Sequence, residues 1–269
     1  LAERDEAIAD IQKAGKPCLA AEMGGYADLN TLCERVQKAM AAQGFACAQD
    51  DAVHLLTLLC LCGGQLALEG PAPADALSLC RALAAAVGAP CAFEDQNGTK
   101  RALSVQAGGD TMMFAISAAP DAQEQPYIRL LTTACGAGYA ASPYPVAYFN
   151  ASDSWKVEKL PAFPPVRAES LHEAVLRDAA EPPKAALKLM EDMDRQLAQS
   201  GAPLPQAVRG QIYAYLSAAS VHMQGGVAKA MDYAACAYIL PHMRANQVPA
   251  AQMKPLMTGL PQAQAMLER

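Results

Sequence analysis

The sequence predicts an α/β fold, in which a mostly parallel sheet with flanking helices is followed by a small all-helical domain. Short apolar runs typical of buried strands alternate with helical patterns through the first two thirds of the chain, and this alternation favours a parallel sheet. The strand pattern stops after Glu181-Pro-Pro183, and helical segments follow at 184–200, 205–222 and 226–243. At 269 residues the chain can form one large domain or two modest ones.

The expected domain boundaries follow from these shifts in pattern. Residues 1–48 form an N-terminal helical segment, residues 49–180 the α/β domain and residues 184–269 the helical domain. The chain begins at Leu1 with what resembles the tail of a helix, so we expect it to be part of a longer protein.

The individual elements are predicted from periodicity and from turn residues. A helix is expected over 28–42, and a second over 52–61 with Asp50 and Asp51 as its N-cap. The predicted strands are Gln65–Glu69, 91–94, 101–106, 111–117 and 145–149, and further helices are predicted over 75–87 and 120–134. Residues 155–166 are proline-rich and are predicted to be irregular.

Composition excludes several classes of protein. The net charge of −6, and the lack of any run of Lys and Arg, argue against direct nucleic-acid binding. The longest apolar run, at 55–62, is too short to span a bilayer. The nine cysteines are scattered and favour buried free thiols in a reducing cytoplasm, and Cys60-x-Cys62 has no second pair that would complete a zinc site. His54 lies on an apolar helix and is interpreted as a core histidine.

The stretch from Leu66 to Gly88 is central to the interpretation, because strand, Gly/Pro turn and helix follow one another as in a phosphate-binding loop. Such a loop needs G-x-x-x-x-G-K-[ST], whose glycines, lysine and hydroxyl hold the phosphates and Mg²⁺. Gly70 is present, but Asp75, Ala76 and Leu77 occupy the positions of the second Gly, the Lys and the Ser/Thr. Asp75 is instead suited to cap the helix, and its carboxylate would repel a phosphate.

Two later segments add a family resemblance. The run Arg209-Gly-Gln-Ile212-Tyr-Ala-Tyr215-Leu resembles a sensor-2 helix, and Met231-Asp-Tyr-Ala-Ala-Cys-Ala-Tyr-Ile-Leu-Pro241 resembles a late lid helix. With the order of elements over residues 50–245, the chain resembles the AAA+ ATPases, a P-loop NTPase-like fold with a helical lid, in their McrB and MoxR-like branch.

The resemblance also implies what has been lost. Counting back from Leu130-Leu131, taken as part of the following helix, places the acidic Walker B positions at Ser117 and Ala118, which can neither bind a metal ion nor accept a proton. Asn150 then corresponds to the sensor-1 Asn and Arg209 to the sensor-2 Arg. Arg167 is a weaker match to an arginine finger.

The sequence therefore predicts a catalytically inactive AAA+-like module, without ATPase or GTPase activity, that serves as a scaffold or regulatory interaction domain. Its partners would be other protein subunits or domains, including an AAA+-type oligomer, and no cofactor or metal is expected. One alternative is a sensor that binds ATP or GTP through Gly70, Asn150 and Arg209 without turnover. Others are a component of an McrB-like defence or MoxR-like chaperone complex, and an enzyme of another class.

Overall fold

The computed structural model describes residues 28–62, 65–69, 73–89, 91–93, 114–117, 128–132, 146–148 and 159–268. Its helices are α1 (Leu29–Ala42), α2 (Gln49–Leu61), α3 (Pro73–Ala86), α4 (Ala168–Leu176), α5 (Lys184–Gln199), α6 (Gln206–His222), α7 (Gly226–Ala234), α8 (Leu240–Ala245), α9 (Ala250–Met253) and α10 (Pro261–Leu267). The π segment, Ala235–Ile239, joins α7 to α8.

The strands are short. They are β1 (Gln65–Glu69), β2 (Cys91–Phe93), β3 (Phe114–Ser117), β4 (Ile128–Thr132) and β5 (Val146–Tyr148). All pair in parallel, in the order β2-β3-β4-β1-β5, with Leu66 opposite Leu130 in the β1–β4 register. Each strand has only three to five residues.

The predicted fold class is wrong. Helix predominates in the described residues, so the fold is not a mostly parallel sheet with flanking helices. The P-loop and AAA+-like descriptions depended on such a sheet and are wrong for the same reason. The physical reason lies in the composition, because Ala, Leu, Met and Gln are strong helix formers and fill most of the interior with helix–helix contacts.

One local prediction is wrong as well. The helix predicted over 120–134 is contradicted at its end, where Ile128–Thr132 forms β4. Leu130 and Leu131 therefore lie in a strand, paired with β1 and β3, and the count that placed the Walker B positions at Ser117 and Ala118 was wrong. A short apolar run fits a buried strand as well as a helix, and periodicity alone cannot separate the two.

Several other elements agree with the sequence. β1 has the predicted bounds, and α1 begins after Asp28, whose Oδ1 accepts a hydrogen bond from the Thr31 amide at 2.8 Å. The three helices predicted after residue 183 are present as α5, α6 and the continuous α7–π–α8 rod. Helix α4 and the short helices α9 and α10 were not predicted.

The hydrophobic core runs without interruption from α1 to α10. Helix α2 is central, since it packs against α1, α4 and α6, and α6 packs in turn along α7. The buried face of α2 extends over Ala52–Leu59, so the helix is enclosed on nearly every side. Helices from both ends of the chain thus share one core around α2.

The π segment has an identifiable cause. Pro241 lacks an N–H donor and its ring clashes with the carbonyl four residues earlier in a regular helix. One wider turn precedes it, in which the Leu240 amide donates to the Ala235 carbonyl five residues back. The wider turn lets the helix continue past Pro241, and it places Tyr238 in the interior, where this side chain is 4% exposed.

Candidate functional site: a buried histidine–tyrosine–aspartate cluster

A connected group of polar side chains lies where α2, α6 and α7 meet. We name it the His54 cluster, and it consists of His54, Tyr215, Tyr233, Tyr238 and Asp51. Helix α2 supplies His54 and Asp51, α6 supplies Tyr215, and the α7–π rod supplies Tyr233 and Tyr238.

His54 is at the centre of this cluster. Its Nδ1 lies 2.6 Å from the hydroxyl oxygen of Tyr215, and its ring stacks on that of Tyr233 with centroids 4.5 Å apart. The side chain is 4% exposed. Burial, with a smaller contribution from Lys229, lowers the pKa of His54 to about 3, so the imidazole is neutral at ordinary pH.

Tyr233 connects His54 to the start of α2. Its hydroxyl donates a hydrogen bond to Oδ1 of Asp51, and the Lys229 ammonium lies 4.8 Å from the centre of its ring. Oδ2 of Asp51 accepts from the Ala48 amide at 2.7 Å. Burial and the Asp51 carboxylate raise the pKa of Tyr233, so its hydroxyl stays protonated.

Asp50 strengthens the same junction from outside the cluster. Its carboxylate accepts hydrogen bonds from the backbone amides of Gln224, at 2.7 Å, and Gly225, at 3.4 Å, at the start of α7. A carboxylate at a helix N-terminus satisfies free amides and interacts favourably with the helix dipole. The sequence had assigned Asp50 and Asp51 to the N-cap of α2, but Ala48 is the N-cap and both carboxylates reach α7.

Tyr238 is the one member whose hydroxyl has no hydrogen-bond partner among the described residues. Its ring meets that of Tyr215 edge-on, with centroids 6.0 Å apart. Burial raises the pKa of Tyr238, and that of Tyr215 is raised for the same reason. Tyr238 therefore contributes apolar packing to the cluster.

The chemistry open to this cluster is limited by its burial. His54 is enclosed and, with its lowered pKa, is a weak base, and the raised pKa values of the three tyrosines keep their hydroxyls protonated. The cluster does, however, join three helices with directional bonds. The interpretation of His54 as a satisfied core histidine is confirmed.

The residues predicted to form a nucleotide site are only partly placed by the structure. Gly70 and Asn150 lie outside the described residues, and the side chains of Asp75, Ala76 and Leu77 do as well. Arg209 is on α6, where its Nη1 lies 3.2 Å from Oδ2 of Asp194 and its Nε donates to the Leu204 carbonyl at 3.1 Å. Its assignment to a nucleotide site stays a prediction.

The cysteines that the structure describes are free thiols: Cys33, Cys47, Cys60, Cys62, Cys80 and Cys236. Burial raises the pKa of the Cys33 thiol to about 12, and burial likewise raises the pKa values of Cys47, Cys60 and Cys236. These four thiols are therefore held in their unreactive protonated form. Within the described ranges, His, Cys, Asp and Glu form no group of three or more suited to a metal ion.

The sequence did not reveal the His54 cluster. Its bonded members Asp51 and Tyr233 are 182 positions apart, and Tyr215 and Tyr233 enter the sequence analysis only as parts of the family-like motifs. The one available signal was a polar His within the apolar run of α2, since a buried polar side chain requires a partner.

Comparison with known proteins adds no relative, because no protein-family model, no curated protein and no solved structure matches this chain.

Proposed function

We propose that this chain is a non-catalytic scaffold module that holds other protein subunits or domains in place. One observation carries the proposal, namely that three buried polar side chains of the described part all form hydrogen bonds within the helical frame of the chain. They are His54, Thr57 and Asp232. His54 bonds to Tyr215, Thr57 donates to the Val53 carbonyl at 2.8 Å, and Asp232 accepts from two backbone amides.

The hydrogen bonds of Asp232 connect segments that are far apart in the sequence. Its carboxylate accepts from the amides of Gln262, at 3.1 Å, and Ala263, at 2.9 Å, at the N-terminus of α10. Asp232 is 1% exposed, and the two amides and the helix dipole compensate its burial. The last helix of the chain is thereby fixed to α7.

Two histidines join further segments through backbone carbonyls. Nε2 of His222 lies 3.1 Å from the Val175 carbonyl oxygen, and Nε2 of His242 lies 3.0 Å from that of Ala202. An imidazole bonded to a backbone carbonyl serves to orient chain segments. The described polar groups thus favour a frame of fixed shape, which is what a scaffold requires.

Exposed large hydrophobic side chains are few in the described part. Tyr213 and Val221 are the large hydrophobic side chains that are exposed in the described part, at 41% and 43%. They lie eight residues apart on α6, about 12 Å along the helix, and single exposed apolar residues are ordinary on a soluble surface.

The compartment is part of the proposal. No helix in the described ranges is both long enough and apolar enough to cross a membrane. Free thiols persist in reducing compartments, and we place the module in the cytoplasm on the basis of the free cysteines.

Cross-linking mass spectrometry in cells that express the protein tests the scaffold role. Exposed lysines are spread over the described surface, at Lys38, Lys159, Lys184, Lys188 and Lys254. The proposal predicts that some of them repeatedly cross-link to the same site on another protein. Replacing the cross-linked lysine by Arg keeps the charge and must abolish that one cross-link; cross-links confined to the chain itself would contradict the proposal.

A turnover assay tests the non-catalytic part. The purified chain should release no phosphate from ATP or GTP, and calorimetric titration with either nucleotide should give no heat of binding. Steady phosphate release that an Asn150→Ala or Arg209→Ala variant lacks would show that the chain is an enzyme.

A further inference from the structure

The segment that connects the sheet region to α4 has an unusual pattern of burial. We name residues 159–166 the proline strap; its sequence is Lys-Leu-Pro-Ala-Phe-Pro-Pro-Val, and it is neither helix nor strand. Residues 159, 162 and 165 are exposed, whereas 160, 163 and 166 are half-buried or buried. One edge of the strap is thus exposed and a second is half-buried or buried, a repeat of three residues, while the third edge has residue 161 half-buried and residue 164 exposed.

A repeat of three residues is the signature of a polyproline II helix. The sequence favours this conformation, because proline fixes its own φ near −65° and restricts the preceding residue to extended or polyproline II geometry. Pro161, Pro164 and Pro165, with the residues before them, constrain five of the eight positions of the strap. The strap is thus ordered before any partner arrives.

The inward edge of the strap is fixed to the helical frame. Leu160 packs against the core, Val166 is 4% exposed, and the Val166 amide donates to the Val87 carbonyl at 2.9 Å. Arg35 of α1 contacts the middle of the strap. Its Nη1 donates to the Pro164 carbonyl at 3.1 Å, and its guanidinium carbon lies 5.4 Å from the centre of the Phe163 ring.

The backbone of the strap also lies directly on Gly88. A Cβ atom at Gly88 would be 2.6 Å from the carbonyl carbon and oxygen of Pro164, closer than atoms can approach. Gly88 has a φ of +62°, a value that glycine adopts readily. This close approach holds one edge of the strap against the protein and turns the other edges outward.

The outward edges present two dipeptides one turn apart, Pro161-Ala162 and Pro164-Pro165. Ala162, Pro164 and Pro165 are exposed and Pro161 is half-buried, so most of this surface is open to a partner. A polyproline II helix rises about 3.1 Å per residue, so the two dipeptides are spaced about 9 Å apart. Grooves lined by aromatic side chains receive proline dipeptides at this spacing, and the rigid ligand loses little entropy on binding.

We propose that the proline strap is a docking ridge for a partner protein whose groove of aromatic side chains recognises polyproline II segments. The proposal rests on the scaffold function, because it specifies the kind of protein partner. The partner contacts the outward dipeptides while Arg35 and Gly88 keep the strap in place, so binding leaves the helical frame unchanged.

Binding of purified SH3, WW and EVH1 domains to the immobilised intact chain tests this proposal. At least one class should bind, and Ala162→Glu should weaken that binding tenfold or more, because a carboxylate is placed in the apolar interface. Ala251→Glu, which makes the same change at an exposed alanine on α9, should bind as the wild type does. Pro164→Ala provides a second variant that keeps the carbonyl bonded to Arg35.

The outcomes separate the two proposals. Failure of all three domain classes to bind, or equal binding by wild type and Ala162→Glu, would overturn the docking ridge. If recurrent cross-links to another protein persist in Ala162→Glu, the docking-ridge proposal is wrong and the scaffold proposal is retained. Phosphate release from nucleotide would remove the scaffold function irrespective of the strap.

Discussion

Nδ1 of His54 lies 2.6 Å from the hydroxyl oxygen of Tyr215, and this contact joins two helices whose residues are 161 positions apart in the sequence. Both side chains are enclosed by the core, where water cannot replace a lost partner. A buried polar group without a partner costs about 1–3 kcal/mol. This hydrogen bond therefore helps to select one packing of α2 against α6.

Removing the Tyr215 hydroxyl should destabilise the fold. Tyr215→Phe leaves Nδ1 of His54 without its partner, and we expect the free energy of unfolding to fall by about 1–3 kcal/mol in urea denaturation. Tyr213→Phe makes the same chemical change at an exposed position two residues away and should stay within about 0.5 kcal/mol of the wild type. Equal effects of the two variants would show that the hydrogen bond contributes nothing.

Stability should depend on pH through His54. The folded pKa of about 3 lies below the ordinary histidine pKa of 6.5, so between these values the unfolded chain binds more protons than the folded one. The contribution of His54 is therefore complete above about pH 6.5 and is lost as the pH falls towards 3, at up to about 1.4 kcal/mol per pH unit.

The measurement is the free energy of unfolding between pH 7 and pH 4 for the wild type and for His54→Leu. The leucine variant should lose stability less steeply, since the same carboxylates titrate in both proteins and their contributions cancel in the comparison. Parallel pH profiles would mean that His54 is not buried in its neutral form.

The Asp232 carboxylate should stabilise α10. Asp232→Ala removes the acceptor of the Gln262 and Ala263 amides, and we expect a loss of about 1–3 kcal/mol with faster hydrogen exchange in α10. Asp192→Ala is the control, because it breaks the exposed ion pair with Arg195, which is worth less than about 1 kcal/mol. Unchanged exchange in α10 of Asp232→Ala would show that α10 does not depend on this carboxylate.

Alanine variants of Gly88 and Gly201 distinguish the cost of backbone strain from the cost of a steric clash. Both have positive φ, +62° and +79°, but a Cβ at Gly88 meets the strap whereas one at Gly201 meets nothing within 4 Å. Gly201→Ala should cost about 1 kcal/mol from its backbone conformation, and Gly88→Ala should cost more because the strap must move. Thermal unfolding of the two variants gives the comparison, and equal losses would argue against close contact between Gly88 and the strap.

The helices were predicted best where apolar residues recur over three or more turns. Helix α1 was expected to end at Ala42 and does so, and β1 has the predicted bounds. Leu130 and Leu131 were misassigned because a run of this length fits a helix or a strand, and the choice is made by the neighbours with which the run pairs. The fold class is wrong for a different reason: short apolar runs were given too much weight as strands, whereas helices make up most of the described part.

The His54 cluster could not have been predicted by the same means. Periodicity reports which face of a helix is buried, but it does not show which other helix covers that face. The link from Asp51 to Tyr233 spans 182 positions, and it depends on the way in which α2 and α7 pack. The strap is different, because its prolines were visible in the sequence, although only the structure shows which edge faces outward.

A double-mutant cycle on His54 and Tyr215 tests most directly whether buried polar contacts fix the helical frame. Unfolding free energies are measured for the wild type, His54→Leu, Tyr215→Phe and the double variant. Because the double variant leaves neither partner unpaired, its loss should be smaller than the sum of the single losses by about 1 kcal/mol or more. Strictly additive losses would contradict the account.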